Sequence, residues 1–167
     1  MQSLIAPAVF GLSGAALGFL TPAAAQKIAR YKCLRKNLKL EPDARYTSYP
    51  VRFMALAINA AAWALAGMKM NMPAAFLLAL LFSLSVLIAV IDLRISLIPN
   101  ELVLLMLLTG SAFQILQFGF RAFPFSVFCM LAMTVLFTSV ACAVGFGKVG
   151  AGDVKLAGAM GLALGYP

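Results

Sequence analysis

The sequence contains no histidine, and it has only five acidic residues and three cysteines among 167 residues. The absence of histidine excludes zinc sites of the His-x-x-x-His type, serine–histidine and cysteine–histidine nucleophile pairs, and haem ligation by histidine. The three cysteines form no Cys-x-x-Cys pair. We interpret two of them as small buried hydrophobes and Cys33 as a loop thiol. The remaining candidates for catalytic chemistry are the carboxylates.

Charge is also scarce, since charged residues make up 11% of the chain whereas a soluble domain has about 25%. With 63% hydrophobic residues and a mean hydropathy of +1.00, the composition predicts an integral membrane protein. A membrane span needs roughly 17–25 mostly apolar residues. Five uncharged runs are suitable in length, and they are 1–26, 53–68, 70–91, 102–120 and 122–147.

A sixth apolar segment runs from Val154 to Pro167, which is short for a span. We therefore predict an all-α fold: a polytopic membrane helix bundle of about six transmembrane helices, the last either incomplete in this chain or inserted only part way. The whole chain, 1–167, is predicted to be a single membrane domain. The expected helices cover about 3–25, 51–68, 74–91, 99–118 and 123–146, with the sixth beginning at about Val154.

The positive charges are concentrated in one place, because eight of the thirteen cations lie in the stretch 27–52 between the first two spans. The positive-inside rule makes the loop 27–50 a cytoplasmic basic loop. Its expected partners are anionic lipid headgroups rather than nucleic acid. Ala23-Ala24-Ala25 resembles a signal-peptidase site, but no charge precedes it, so we expect an uncleaved first helix with its N-terminus outside.

Two of the five acidic residues stand beside membrane-length apolar runs. Asp92 ends one such run, and Asp153 lies in Gly150-Ala151-Gly152-Asp153-Val154-Lys155 at the start of another. A carboxylate near lipid is costly and is usually functional. Alternation of the spans places both aspartates on one side, which the cation distribution identifies as the cytoplasmic side.

Two neighbouring carboxyl groups suggest the chemistry of aspartic proteases. There, the ionised member takes a proton from water while the neutral member polarises the scissile carbonyl. Gly150 and Gly152 suit such a site, because glycine permits backbone angles closed to other residues and leaves room for a substrate backbone. We therefore predict an aspartyl dyad formed by Asp92 and Asp153.

The surroundings of the two aspartates resemble a known family. Asp92-Leu93-Arg94, followed by Ile98-Pro99-Asn100 and some 60 residues later by Gly-x-Gly-Asp-x-Lys, is similar to the paired motifs of the prepilin peptidases. The resemblance covers roughly residues 74–160, which would form the peptidase core. It implies that Asp92 and Asp153 are catalytic, and that other residues form the active-site loop or bind substrate, namely Gly150, Gly152, Lys155, Pro99 and Asn100.

By this resemblance the protein is an intramembrane aspartyl endopeptidase of the bacterial inner membrane. It would remove the basic leader of a prepilin or pseudopilin at the cytoplasmic face. Longer members carry two Cys-x-x-Cys pairs in a cytoplasmic loop and also N-methylate the trimmed pilin, whereas loop 27–50 has one cysteine. We therefore expect a short form without methyltransferase activity. No metal or organic cofactor is implied, and a homodimer is possible.

Other interpretations stay open at this point. An ion-coupled carrier could use the two aspartates as a proton relay, although relay carboxylates usually lie near the bilayer midplane. A presenilin-like protease shares Gly-x-Gly-Asp, and a non-catalytic scaffold is a further alternative. The roles of Arg94 and Glu101 are left undecided.

Several other residues are predicted to pack the bundle. Gly14-x-x-x-Gly18 and Gly161-x-x-x-Gly165 would let helices approach closely, within the chain rather than between copies. Four amide side chains lie within or beside spans, where we expect them to form interhelical hydrogen bonds, namely Asn59, Asn71, Gln114 and Gln117.

Overall fold

The computed structural model describes residues 5–35, 48–145 and 150–165, which form six helices and no strand. The helices are α1 (Ile5–Arg35), α2 (Tyr49–Lys69), α3 (Met72–Ile95), α4 (Asn100–Phe118), α5 (Phe123–Val144) and α6 (Ala151–Leu164). The first five are long and apolar enough to cross a membrane, whereas α6 has 14 residues. The predicted all-α polytopic membrane bundle is confirmed.

Three helix boundaries differ from the prediction. Helix α1 continues to Arg35 instead of ending near residue 25, so the first nine residues of the predicted loop 27–50 are helical. Helix α3 continues to Ile95 rather than 91, and α6 begins at Ala151 rather than 154. The prediction ended helices at charged residues, but lysine and arginine are good helix formers and backbone hydrogen bonds continue past them. Residues 36–47 of the loop and residues 146–149, with the predicted end of the fifth helix, lie outside the described residues.

The chain divides into two compact units, Met1–Leu97 and Ile98–Pro167. The single membrane domain and the peptidase core 74–160 therefore stay predictions. In the first unit, α1 packs along α2 through its glycines. A Cβ atom on Gly14 would lie 2.6 Å from Cγ of Trp63, and one on Gly18 would collide with the carbonyl oxygen of Ala55. The predicted close approach within the chain is confirmed for this pair.

A buried polar chain joins α2 to α3 in the first unit. The indole Nε1 of Trp63 donates to Oγ of Ser83 at 2.9 Å, and this hydroxyl donates to Oδ1 of Asn59 at 2.7 Å. The amide of Asn59 donates in turn to the carbonyl oxygen of Ala55 at 3.0 Å. Polar groups at membrane depth need such partners, since lipid provides none. The predicted interhelical role of Asn59 is confirmed.

In the second unit, α6 packs against both α4 and α5. A Cβ atom on Gly161 would lie 2.8 Å from the carbonyl oxygen of Cys129, so the Gly161-x-x-x-Gly165 pair brings α6 close to α5. On the opposite side, Nε2 of the fully buried Gln114 in α4 donates to the carbonyl oxygen of Ala163 at 2.7 Å. The carbonyls in the last turn of a helix have no partner within the helix, so this bond satisfies one of them. The prediction for Gln114 is confirmed.

Candidate active site

Asp92 lies in the last turn of α3 and not beyond its end as predicted. It is half-buried and directly follows Ile91, which is fully buried. The backbone carbonyl of Asp92 accepts a hydrogen bond of 2.7 Å from the N–H of Ser96. Ser96 has a φ of 46°, a left-handed conformation that ends the helix. The backbone of Asp92 is thus held within regular helical structure one turn before the chain turns away.

Asp153 is the third residue of α6 and is also half-buried. Its Oδ2 accepts a hydrogen bond of 3.0 Å from the backbone N–H of Gly150, the residue that precedes the helix. The first N–H groups of a helix lack partners within it, and the positive end of the helix dipole favours a carboxylate there. Because Gly150 has no side chain to cap the helix, the carboxylate of Asp153 provides the cap itself.

The two glycines of the segment 150–155 do not have the conformational role that the sequence predicts. Gly150 has an extended backbone (φ −71°, ψ 143°), and Gly152 lies within the first turn of α6, so neither uses angles closed to other residues. That part of the prediction is wrong. Gly152 instead packs on Ile98, since a Cβ atom added to it would lie 3.1 Å from Cβ of Ile98. The small size of this residue lets α6 approach the segment before α4.

Pro99 and Asn100 lie at the start of α4. Pro99 is fully buried and precedes the helix, one position earlier than predicted, and its carbonyl accepts the N–H of Leu102 at 3.1 Å. Asn100 is exposed, and its Oδ1 accepts a hydrogen bond of 3.3 Å from Nζ of Lys155. Two contacts therefore join the first motif, residues 92–100, to the second motif, residues 150–155. They are the hydrogen bond between Asn100 and Lys155 and the packing of Gly152 on Ile98.

The structure also contains a groove that the sequence analysis did not predict. It lies within the second unit, has a volume of about 390 Å³ and is open to one side. Helices α4, α5 and α6 line it with ten residues, namely Asn100, Val103, Leu104, Leu107, Met130, Thr134, Val154, Lys155, Gly158 and Ala159. The α4 residues repeat at i, i+3, i+4 and i+7, a signal that marks one helix face but not what that face contacts.

Within the described parts of the chain, no three side chains of the histidine, cysteine, aspartate and glutamate types cluster so as to hold a metal ion. Two predicted site residues, Asn100 and Lys155, meet each other in the second unit. Asp92 and Asp153 lie at the end of one helix and the start of another, and their pairing stays a prediction.

Comparison with known proteins gives one informative result. Neither the curated proteins nor the solved structures include a significant match. Residues 78–167, more than half of the 167, match the type IV leader peptidase family. The matched region contains Asp92, Asp153 and every other residue predicted for the site. This multi-pass helical membrane protein is therefore a member of the type IV leader peptidase family.

Proposed function

We propose that this peptidase is an aspartic endopeptidase that removes the basic leader of a prepilin-type protein at the cytoplasmic membrane face. The observation that supports this most is the contact between the two motifs inside the matched region. Gly152 packs on Ile98 and Lys155 donates to Asn100, so the residues around Asp153 are fixed to the segment that follows Asp92. Only five residues, 93–97, separate Asp92 from Ile98 along the chain.

The proposed chemistry uses the two carboxyl groups in different protonation states. The ionised aspartate takes a proton from a water molecule, whose oxygen attacks the scissile carbonyl carbon. The protonated aspartate donates a hydrogen bond to the carbonyl oxygen and stabilises the charge that develops there. The tetrahedral intermediate then collapses as the C–N bond breaks, and the aspartate that took the proton from water gives it to the leaving amine. Cleavage needs no group beyond the dyad and water.

The order of the spans supports a cytoplasmic site in the bacterial inner membrane. Asp92 lies at the end of the third candidate span, and Asp153 follows the fifth, so alternation assigns both to one side. The C-terminal end of α1, on that same side, has four cations, Lys27, Arg30, Lys32 and Arg35. Positive residues mark the cytoplasmic side. Positions at helix ends also suit a protease better than a carrier, whose ion sites lie near the midplane.

Peptidase activity without N-methylation is the second part of the proposal. Cys33 is the one cysteine of the predicted basic loop, and it is buried within α1 at 4% exposure. The cytoplasmic loop of the longer family members has two Cys-x-x-Cys pairs, and a single buried thiol cannot form such a pair. We expect the trimmed product to carry an unmodified α-amino group when the reaction includes a methyl donor, and the mass of its N-terminal peptide tests this.

The test of the dyad is cleavage of a prepilin-like substrate in lipid by wild type, Asp92→Asn and Asp153→Asn. Each substitution keeps the size of the side chain and removes the titratable group, so both variants should lose cleavage by about 10²–10⁴-fold. Glu101→Gln is the matched control, because it removes another acidic group, exposed in the first turn of α4. Substantial cleavage by either folded aspartate variant would exclude the two-aspartate mechanism.

A further inference from the structure

The groove of the second unit begins beside the proposed catalytic residue. Val154 and Lys155, the two residues after Asp153, line it, and Gly158 and Ala159 continue the same face of α6 one turn further. Along α4 the lining extends from Asn100 to Leu107, about 10 Å at 1.5 Å per residue. Its volume of about 390 Å³ is within the range of ligand pockets.

The chemistry of the lining selects an uncharged occupant. Polar side chains lie at the end formed by Asn100 and Lys155, and the hydroxyl of Thr134 is satisfied by the carbonyl oxygen of Met130 at 2.8 Å. The other lining residues are apolar. A charged group placed along them would lose its water without gaining a partner. At the polar end, Lys155 repels the basic residues of a leader.

We propose that this groove holds the apolar segment of the substrate that directly follows the cleaved bond, an inference that rests on the proposed function. The basic leader then extends from the scissile bond away from Lys155. Side chains on one face of the apolar segment fill the space between α4 and α5, with α6 as the floor. The groove thereby places the scissile bond at the N-terminal end of α6, where Asp153 lies.

Two leucines on α4 provide a matched test. Leu104 lines the groove and is 58% exposed, whereas Leu108, one turn further along α4, is 61% exposed and is not among the lining residues. A photo-reactive phenylalanine analogue at position 104 or 108 is introduced into the full chain, in both wild-type and Asp153→Asn backgrounds. The proteins are placed in vesicles of phosphatidylethanolamine and phosphatidylglycerol with a prepilin-like substrate, and the crosslinks are mapped by mass spectrometry.

We expect crosslinks from position 104 to the apolar segment of the substrate at a several-fold higher yield than from position 108, since only position 104 lines the groove and would contact the bound segment. Equal yields, crosslinks to the leader, or capture of phospholipid alone at position 104 would overturn the inference. Cleavage by the wild type in the same vesicles tests the proposed function separately. Cleavage by the wild type without a preference for position 104 would refute the groove alone, whereas substrate capture at 104 without any cleavage by the wild type would refute the protease mechanism alone.

A kinetic measurement separates the groove from a general effect on the fold. Leu104→Trp fills the open side of the groove, and Leu108→Trp adds the same bulk to the neighbouring exposed position. We expect the first change to raise KM about tenfold with kcat nearly unchanged, because it removes binding that is uniform between substrate and transition state. Similar KM values for the two variants would contradict the proposal.

Discussion

The hydrogen bond between Lys155 and Asn100 joins two exposed side chains that lie 55 residues apart in sequence. At 3.3 Å and in contact with solvent, it should contribute little to the stability of the fold. Its expected effect is on position, because it holds a cation two residues after Asp153. We predict that Asn100→Ala and Lys155→Met each reduce kcat/KM several-fold, about 1 kcal/mol in transition-state free energy.

The double variant decides whether the two side chains act together. If they do, Asn100→Ala in the Lys155→Met background should have little further effect on kcat/KM, giving a coupling energy of about 0.5–1 kcal/mol. Additive losses would mean that the two residues act independently of their hydrogen bond. Unchanged melting temperatures for all three variants serve as the control for folding.

At the scale of residues, the sequence predicts which residues belong to the candidate site better than it predicts their contacts. The chemistry of Asp153 and its neighbours can be deduced from scarcity, since the chain has five acidic residues, and Asp92 and Asp153 are among those that stand beside membrane-length apolar runs. That Oδ2 of Asp153 caps its own helix could not be deduced while α6 was expected to start at 154. The contact of Gly152 with Ile98 depends on how α6 and the start of α4 approach each other, which spacing along a chain does not contain.

At the scale of helices, α1 offers a test of close packing with an internal control. A Cβ atom on Gly14 would lie 2.6 Å from the Trp63 side chain, whereas one on Gly11 would make an ordinary contact of 3.5 Å with Ala64. Gly14→Ala should therefore destabilise the first unit by about 1–3 kcal/mol through overpacking. Gly11→Ala should be neutral or stabilising by up to about 1 kcal/mol, because alanine favours the helix.

Thermal unfolding in detergent, followed by tryptophan fluorescence, measures both effects, since Trp63 is the single tryptophan of the chain. A similar or lower melting temperature for Gly11→Ala than for Gly14→Ala would show that the two helices do not approach as closely as described.

The C-terminal part of α1 is helical although its sequence predicts a loop. The difference between its buried face and its exposed face explains why the sequence is misleading there. Ala25, Ala29 and Cys33 are buried at four-residue spacing, whereas the opposite face exposes Lys27, Arg30, Tyr31, Leu34 and Arg35. The run of charges favours a loop, and only the small residues at every fourth position indicate a helix with one buried face. With 31 residues, α1 is about 46 Å long, so its end reaches the headgroup region.

This exposed face leads to a prediction about lipid. Anionic headgroups attract each nearby cation by about 1 kcal/mol. Replacing Lys27, Arg30 and Arg35, three of the eight cations of the stretch 27–52, with glutamine should therefore reduce the protein's preference for phosphatidylglycerol over phosphatidylcholine to less than half, measured by lipid exchange into nanodiscs at low salt. Lys69→Gln with Arg121→Gln, at exposed positions at the end of α2 and in the connection α4–α5, should retain at least half of it. Retention of the full preference by the triple variant would place the lipid contact elsewhere.

For the whole molecule, the fold class follows from composition and run length, because only helices satisfy the backbone of such apolar runs in lipid. The spans of α2 to α5 were predicted to within a few residues for the same reason. The division into the units Met1–Leu97 and Ile98–Pro167 was not predicted. Hydropathy locates each span but does not indicate which spans pack together.

The proposed pairing of Asp92 and Asp153 depends on the membrane topology of the chain, which cysteine labelling can test. In a background with Cys33, Cys129 and Cys142 replaced by alanine, single cysteines are placed at Ser96, four residues after Asp92, and at Ala151, two residues before Asp153. Two others replace Asn71 and Arg121, in the connections α2–α3 and α4–α5. Alternation of the five spans predicts that an impermeant maleimide labels 96 and 151 from the cytoplasmic side, and 71 and 121 from the opposite side.

All four cysteines should react fully in detergent, which controls for local burial. Labelling of 96 and 151 from opposite sides would place the two carboxylates at different membrane faces, about 30 Å apart, where they could not act on one peptide bond.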